Sequence, residues 1–142
     1  MRKEDNKVTL QIENLYRGKT GFDYRTNIEY TVAADGSILV NSTIIPSTKG
    51  VIIPRIGYRM ELPEGFERMR WYGRGPLENY VDRKDATYVG VYDELVSDQW
   101  VNYVRAQEMG NREDLRWISI TNPDGIGFVF IAGDKMSASA LH

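Results

Sequence analysis

The sequence contains no cysteine, and its one histidine is the final residue, His142. The absence of cysteine excludes disulfides, thiolate nucleophiles and zinc–cysteine sites. With a single terminal histidine, the chain cannot assemble a histidine-based triad or a polyhistidine metal site from its own residues. Oxygen ligands remain, which suit Na⁺, Ca²⁺ or Mg²⁺, but no motif of spaced carboxylates favours any of these ions.

Long apolar runs and an excess of charge of one sign are also absent. Lys and Arg number 18 against 20 Asp and Glu, whereas nucleic-acid binders usually carry a basic excess. No stretch approaches the roughly 18 apolar residues of a membrane span, and the charged start Met1–Lys7 does not resemble a signal peptide. We therefore expect a soluble protein without nucleic-acid or membrane partners, and we leave its compartment open between cytoplasm and periplasm.

A period of two dominates the hydrophobic pattern, and a helical period is scarce. The chain has 142 residues, 42% of them apolar, which is typical of one globular domain. We predict a single domain over residues 1–142, with a disordered tail at residues 1–6 and a short helical turn within Asp93–Gln99. The predicted strands are Lys7–Leu15, Asn27–Val32, Ile38–Ile45, Arg55–Leu62, Phe66–Tyr72, Thr87–Tyr92, Leu115–Thr121 and Ile126–Ala132.

Turn signals separate these strands. Asp35 and Gly36 predict a two-residue hairpin turn, because such turns require positive φ angles. Pro63–Gly65 is expected to join Arg55–Leu62 to its partner strand, and Asn122–Gly125 to join the last two strands. The pattern predicts an all-β, antiparallel fold of the β-sandwich class.

Strand regularity breaks at two segments rich in polar residues, Trp71–Lys84 and Tyr103–Arg112. Gly73 and Gly75 are expected to permit sharp backbone bends in the first, and Pro76 to fix the next bend. Because both segments combine charged, amide and aromatic groups, we predict that they form the functional face. The candidate substrate-binding or loop-organising residues are Trp71, Tyr72, Arg74, Glu78, Asn79, Tyr80, Asp82, Arg83, Gln107, Glu108, Asn111 and Arg112.

Two reactive chemistries compete with a structural role for these acids. Gly73-x-Gly75 is half of a phosphate-binding fingerprint, but Glu78 stands at the third glycine and would repel a pyrophosphate. A glycosidase dyad drawn from Glu78, Asp82 or Glu108 needs two carboxyl groups about 5–10 Å apart, a distance that sequence does not give. Since several arginines lie near these acids in the chain, we favour Arg pairs that keep them ionised and structural.

The aromatic residues allow two interpretations. A Trp or Tyr ring beside Asn, Gln, Glu or Arg can contact the C–H face of a sugar while its polar neighbours bind the hydroxyls. Alternatively, the rings are core residues whose polar atoms are satisfied. We assign Trp117, on a predicted strand face with Leu115, to the core, and we leave Trp100 unassigned.

The run Gly75–Arg83 reads Gly-Pro-x-Glu-Asn-Tyr-x-Asp-Arg, a long pattern of unusual composition. Together with Pro54–Gly57, Leu62–Phe66, Trp71–Arg74 and Gln107–Arg112, it resembles the C-terminal domain of glycoside hydrolase family 2 β-galactosidases, often called the β-galactosidase small chain. The resemblance covers nearly the whole chain. It departs from the family's Pro-Gln-Glu-Asn-Gly pattern in the second segment, which here reads Ala-Gln-Glu-Met-Gly.

The resemblance implies a galactose-mutarotase-like β-supersandwich in which two large antiparallel sheets stack. It also implies that this chain is a fragment, because the family's domain continues for about as long again. Members hydrolyse terminal β-D-galactosides with retention, and their two catalytic glutamates lie on a separate barrel domain. We therefore predict no catalytic residue in this chain and no hydrolysis by the chain alone. Its expected role is to pack on the barrel and shape the sugar site.

The expected partners are the remaining domains of a parent β-galactosidase, with a galactoside and a homo-oligomer also open. We predict no cofactor and no metal site in this chain, while the resemblance implies Mg²⁺ or Na⁺ in parent enzymes. Two alternative functions stay open. One is a free-standing carbohydrate-binding module, and the other is a structural domain whose exposed strand edges mediate assembly.

Overall fold

The structure, a computed structural model, describes residues 2–4, 6–19 and 21–142. Its eight strands and one short 3₁₀ helix are β1 (Arg2–Glu4), β2 (Lys7–Arg17), β3 (Asp23–Ala33), β4 (Ile38–Pro46), β5 (Arg68–Gly75), β6 (Tyr88–Leu95), η1 (Val96–Gln99), β7 (Arg112–Thr121) and β8 (Gly127–Ala138). The strands form two four-stranded antiparallel sheets. The predicted all-β class of antiparallel sheets is confirmed, whereas the supersandwich arrangement stays a prediction.

Backbone contacts divide the chain into two compact units, Met1–Tyr58 and Arg59–His142. Each unit contains one of the sheets and is described by itself. The prediction of one domain over residues 1–142 stays a prediction.

The first unit holds the sheet β1-β2-β3-β4, in strand order. Strands β2 and β3 pair along their whole length, from Lys7 opposite Ala33 to Arg17 opposite Asp23. One face of this pair is apolar, because Leu10 lies opposite Tyr30 and the residues two positions along are also apolar. The predicted alternation of apolar and polar residues therefore corresponds to strands with one apolar face and one polar face.

Two local features of this sheet differ from the sequence-based expectation. Within the expected disordered tail, β1 pairs with the start of β2, and this pairing requires backbone groups rather than apolar side chains. Residues 1 and 5 of that tail lie outside the described residues. The hairpin after β3 has a three-residue loop, since the Ala33 amide donates to the Ser37 carbonyl and Gly36 alone of the Asp-Gly pair has positive φ.

The second unit holds the sheet β6-β5-β7-β8 and the core. Alternate residues of β5 are buried, which places Trp71 beside Leu115 and Ile118 of β7. The buried apolar side chains are Met69, Trp71, Val96, Leu115, Ile118 and Ile120. The predicted helical turn is a single 3₁₀ turn, η1, and the predicted turn at Asn122–Gly125 joins β7 to β8.

The predicted strand Arg55–Leu62 is wrong. Its residues alternate in polarity, but they form no strand and are mostly exposed. Strand β5, the expected partner, pairs instead with β6 and β7, which occupy both of its edges. Alternation alone does not make a strand when both edges of the candidate neighbour are already hydrogen-bonded.

The bends predicted at Gly73 and Gly75 are also absent, because both glycines lie within β5. Their role is close packing. A Cβ atom at Gly73 would lie 2.6 Å from Leu115 Cδ2, and one at Gly75 would lie 2.7 Å from Tyr92 Cδ2. Glycine at these positions lets the core side chains approach the strand backbone directly.

Trp117 does not join the core. The pairing of β7 with β8 shifts between Leu115 and Trp117, so that Arg116 and Trp117 both leave the buried face before Ile118 returns to it. Irregular pairing of this kind changes which side of a sheet a residue faces. Strict alternation from Leu115 therefore gives the wrong face for Trp117.

Two glycines of β8 give a direct test of this packing. A Cβ at Gly127 would lie 2.0 Å from the Ile120 carbonyl oxygen, whereas none of the described residues lies within 4 Å of a Cβ at Gly133. We expect Gly127→Ala to lower the free energy of unfolding by about 1–3 kcal/mol, because backbone must move to relieve the overlap. Gly133→Ala should change it by less than about 0.5 kcal/mol. Urea denaturation measures both, and equal stabilities of the two variants would contradict the strand pairing.

Candidate functional site

The first predicted loop is part strand and part loop. Trp71, Tyr72 and Arg74 belong to β5, and the chain leaves the strand at the cis peptide bond between Gly75 and Pro76. The second predicted loop is irregular up to Arg112, where β7 begins. Both segments lie in the second unit, and side-chain hydrogen bonds join them.

Glu78 is the centre of these contacts. One carboxylate oxygen accepts a hydrogen bond from Arg83 Nη2 at 2.7 Å and another from the Tyr103 hydroxyl. The other oxygen accepts from the Gly110 amide at 2.7 Å. The Glu78 side chain is 13% exposed, so these donors replace most of its hydration. We call Glu78, Arg83, Tyr103 and the Gly110 amide the Glu78 cluster.

Two buried asparagines connect the same two segments. The backbone N–H of Asn79 donates to the backbone carbonyl of Asn111, and the side-chain Nδ2 of Asn111 donates to the backbone carbonyl of Asn79, each at 2.8 Å. The side chain of Asn79 donates to the Leu77 carbonyl and accepts from the Glu113 amide. Asn79 is fully buried, and its polar atoms avoid a desolvation cost because they are paired.

Arg74 joins β5 to the start of β7. Its Nε donates to Asp114 Oδ2 at 2.6 Å, and its Nη1 donates to the carbonyls of Thr87 and Lys84. The hydrogen bond from Arg74, assisted by the charge of Lys84, lowers the pKa of Asp114 below its ordinary value. The Arg74 carbonyl accepts in turn from the indole of Trp71 at 2.9 Å.

Arg112 carries a buried charge. Its Nη2 donates to Gln99 Oε1 at 2.6 Å and to Glu94 Oε2 at 3.0 Å, and its guanidinium lies 4.9 Å from the ring of Trp71. Burial lowers the pKa of Arg112, and the Glu94 carboxylate opposes that shift. A buried guanidinium needs such partners, since an unpaired buried charge is strongly destabilising.

Tyr80 and Tyr103 enclose the guanidinium of Arg83, whose Cζ lies 4.6 Å and 5.5 Å from the two ring centres. Burial raises the pKa of Tyr80, and the charge of Glu78 adds to the effect. Arg83 thus has both a carboxylate partner and two aromatic faces, a setting in which Arg is not replaceable by Lys.

Not every candidate residue joins these contacts. Asp82 is exposed at the tip of a turn, and its side chain forms no hydrogen bond or ion pair with the described residues. The expected organising contact of Asp82 is therefore not seen. Gln107 and Glu108 are exposed, and the charge of Glu108 contributes to the raised pKa of Tyr80. Tyr72 lies on the face of β5 opposite Trp71, below the guanidinium of Arg116 at 5.3 Å.

Several partners of the candidates were not identified from the sequence. Asp114 lies 40 positions from Arg74, and Gln99 lies 13 from Arg112. Asp114 has positive φ, a conformation in which Asp and Asn are enriched, but that is visible only in the backbone. Nothing in a single sequence pairs charges over such separations.

Three arginines of the site pair with carboxylates: Arg83 with Glu78, Arg74 with Asp114, and Arg112 with Glu94. Of the acids to which the Arg-pair interpretation referred, Glu78 has an arginine partner, whereas Asp82 has none among the described residues. Within residues 2–4, 6–19 and 21–142, no set of three acidic or histidine side chains is placed to hold a metal ion. The arrangement holds two segments in place.

Comparison with known proteins agrees with the motif. The sequence model of the family described as β-galactosidase small chain matches residues 1–142. The chain belongs to this family. It is 39% identical over 114 residues to a β-galactosidase of Priestia megaterium, which covers 80% of this chain. It is 36% identical over 142 residues to one of Arthrobacter sp., which covers 91%.

The match occupies a small part of these relatives. The aligned region is 11% of the Priestia megaterium protein and 14% of the Arthrobacter protein. A β-galactosidase of Bifidobacterium adolescentis, BgaC, gives the same picture, with 34% identity over 86% of this chain and 12% of its own length. This β-galactosidase small chain sequence thus spans about a tenth to a seventh of the length of the curated relatives it matches. In the described part of the chain, no helix has the length and apolarity to cross a membrane.

The contacts of the Glu78 cluster predict that substitutions of Glu78 and of the nearby Asp82 change the free energy of unfolding by very different amounts. Glu78→Gln places an amide group among three donors, and we expect a loss of about 1–3 kcal/mol in the free energy of unfolding. Asp82→Asn is the matched control, and we expect a change below about 0.5 kcal/mol because the side chain is exposed and unpaired with the described residues. Chemical denaturation of both variants checks this. Equal losses would mean that the Glu78 contacts contribute nothing beyond an exposed acid.

The lowered pKa of Asp114 predicts the pH dependence of stability. A carboxyl group with a lower pKa in the folded state stabilises the fold above its unfolded pKa, and this contribution disappears as pH falls through the folded pKa. We expect the wild type to lose stability below about pH 4 more steeply than Asp114→Asn. Asp114→Asn is a suitable comparison, because Asn tolerates the positive φ at this position and the backbone conformation can stay the same. If the melting temperatures of the two proteins have parallel pH profiles, the Arg74–Asp114 pair is not the source of this pH dependence.

Proposed function

We propose that this chain is a non-catalytic part of a longer β-galactosidase, in which it packs against the catalytic barrel and shapes the sugar-binding side of the active site. The parent enzyme would hydrolyse terminal β-D-galactosides with glutamates that lie outside this chain. Family membership and the small share of each relative that the match covers support this proposal.

The observation that best supports the non-catalytic role is that the Glu78 carboxylate is paired with hydrogen-bond donors. A glycosidase needs one carboxylic acid with a raised pKa beside a carboxylate. Glu78 instead accepts hydrogen bonds from a guanidinium, a hydroxyl and an amide. Asp114, beside the same site, has a pKa that the hydrogen bond from Arg74 lowers, the direction opposite to that of a general acid.

The candidate residues divide between two tasks in this proposal. Buried Trp71, Asn79, Asn111 and Arg112 fix the positions of the two segments. Exposed side chains of the two segments, such as Gln107 and Asp82, are accessible to a sugar or to another domain. In this proposal the buried residues affect substrate binding indirectly, because they fix the positions of the exposed side chains.

The exposed ring of Trp100 favours a second candidate function. Trp100 follows η1, is 65% exposed and precedes the second segment. An exposed indole suits the C–H face of a pyranose, so a carbohydrate-binding module is the alternative. Titration of the chain with galactose or lactose, followed by tryptophan fluorescence, measures such binding, and Trp100→Ala is the variant that removes it.

Turnover of a chromogenic β-galactoside by the purified chain tests the proposal. We expect no hydrolysis above buffer from the wild type or from Glu78→Gln. In the longer polypeptide that carries this chain, Glu78→Gln should retain hydrolysis while the stability of the domain falls, because the glutamates of the reaction lie elsewhere. Hydrolysis by the isolated wild-type chain that disappears in Glu78→Gln would make Glu78 catalytic and would end the proposal.

A further inference from the structure

Met109 lies half-buried in the second segment, directly before the glycine whose amide donates to Glu78. Its thioether sulfur accepts a hydrogen bond from the backbone N–H of Val101 at 3.5 Å. These two residues are eight positions apart, and the stretch between them forms no strand or helix. The sulfur therefore joins the two ends of an irregular loop, residues 101–109, which we call the Met109 loop.

Both ends of the Met109 loop lead directly to the Glu78 cluster. At one end, the Val101 carbonyl accepts from the Tyr103 N–H at 2.9 Å, and the Tyr103 hydroxyl donates to Glu78. At the other end, Gly110 follows Met109, and its amide donates to Glu78 at 2.7 Å. A displacement of the Met109 side chain would therefore move backbone that carries a donor to the cluster.

The thioether of Met109 is a group that peroxides oxidise readily. A sulfur lone pair attacks one oxygen of hydrogen peroxide, the O–O bond breaks, and the other oxygen leaves as water after proton transfer. The sulfur loses two electrons and the peroxide gains them, so the reaction needs no further reagent. The sulfoxide is polar and chiral, whereas the thioether is a weak hydrogen-bond acceptor. Because the new oxygen is a strong acceptor that water satisfies well, we expect the oxidised side chain to turn outward and leave the Val101 N–H.

We propose that Met109 is a site of reversible oxidation by peroxides, and that its sulfoxide weakens the hydrogen bond between the Gly110 amide and Glu78. Two other methionines provide comparisons, since Met60 is 59% exposed in an irregular stretch and Met69 is 1% exposed in the core. Oxidation selects accessible sulfur, so Met60 reacts without affecting the cluster and Met69 stays reduced. The contacts that carry the proposal lie within this chain, so it goes beyond the proposed function and does not depend on it.

Treatment of the 142-residue chain with hydrogen peroxide tests this proposal. Peptide mass spectrometry measures the sulfoxide at each methionine, and native-state hydrogen exchange measures the opening of the Gly110 amide. We expect oxidation of Met109 to accelerate exchange of the Gly110 amide by at least about tenfold, while the Ile118 amide of the core strand is unchanged. Met60→Leu should keep this effect, whereas Met109→Gln should remove it, because the Gln side chain accepts a hydrogen bond but is not oxidised. Methionine sulfoxide reductase should restore slow exchange to the oxidised wild type.

Three results would overturn the proposal. If Met109 stays reduced under conditions that fully oxidise Met60, its sulfur is not accessible to peroxide. If Met109 is oxidised and the Gly110 amide exchanges at an unchanged rate, the thioether does not hold the loop in place. If peroxide accelerates exchange equally in Met109→Gln, another residue is responsible. None of these measurements involves hydrolysis, so a failure here is separate from a failure of the turnover experiment.

Discussion

The hydrogen bonds to the Glu78 carboxylate are the interaction on which the site depends. They join segments that are 25 and 32 residues apart, at Tyr103 and Gly110, where regular strand pairing is absent. Without a backbone ladder, such segments keep a fixed shape through side chains that satisfy buried polar groups. Asn79 and Asn111 complete the same task one residue further along each segment.

This arrangement gives the acids and arginines of the site a structural role. The guanidinium groups of Arg74, Arg83 and Arg112 each face a carboxylate, and Arg112 does so in a nearly fully buried position. Charge-assisted hydrogen bonds of this kind specify geometry. Such a role suits a sequence that corresponds to a tenth or so of a β-galactosidase, since the reacting groups of a large enzyme need not lie in every domain.

The sequence predicts the strands well where two faces differ in polarity. Lys7–Leu15 and Asn27–Val32 have one apolar face each, and both are strands. The same signal fails at Arg55–Leu62, because both edges of its expected partner β5 are occupied. It also fails at Trp117, where a register shift moves the side chain to the other face. Local pattern contains no information about which strand edges are occupied.

The candidate site is predicted in part for a related reason. The motif at Gly75–Arg83 identifies a segment whose side chains take part in these contacts, and the pairing of Glu78 with Arg83 is local enough to anticipate. The burial of Asn79 and the partnership of Arg74 with Asp114 depend on tertiary contacts, as does the exposure of Asp82. These outcomes follow from the fold, in which distant segments meet, and not from the residues' own neighbours.

Native-state hydrogen exchange of the Gly110 amide is the measurement that tests the role of Glu78 most directly. This amide lies outside the strands, and its acceptor in the described part of the chain is the Glu78 carboxylate. If Glu78 holds the two segments together, the Gly110 amide opens with a free energy close to that of the Ile118 amide in the core strand. Exchange of the Gly110 amide at the rate of an unprotected amide, while Ile118 stays protected, would contradict this account.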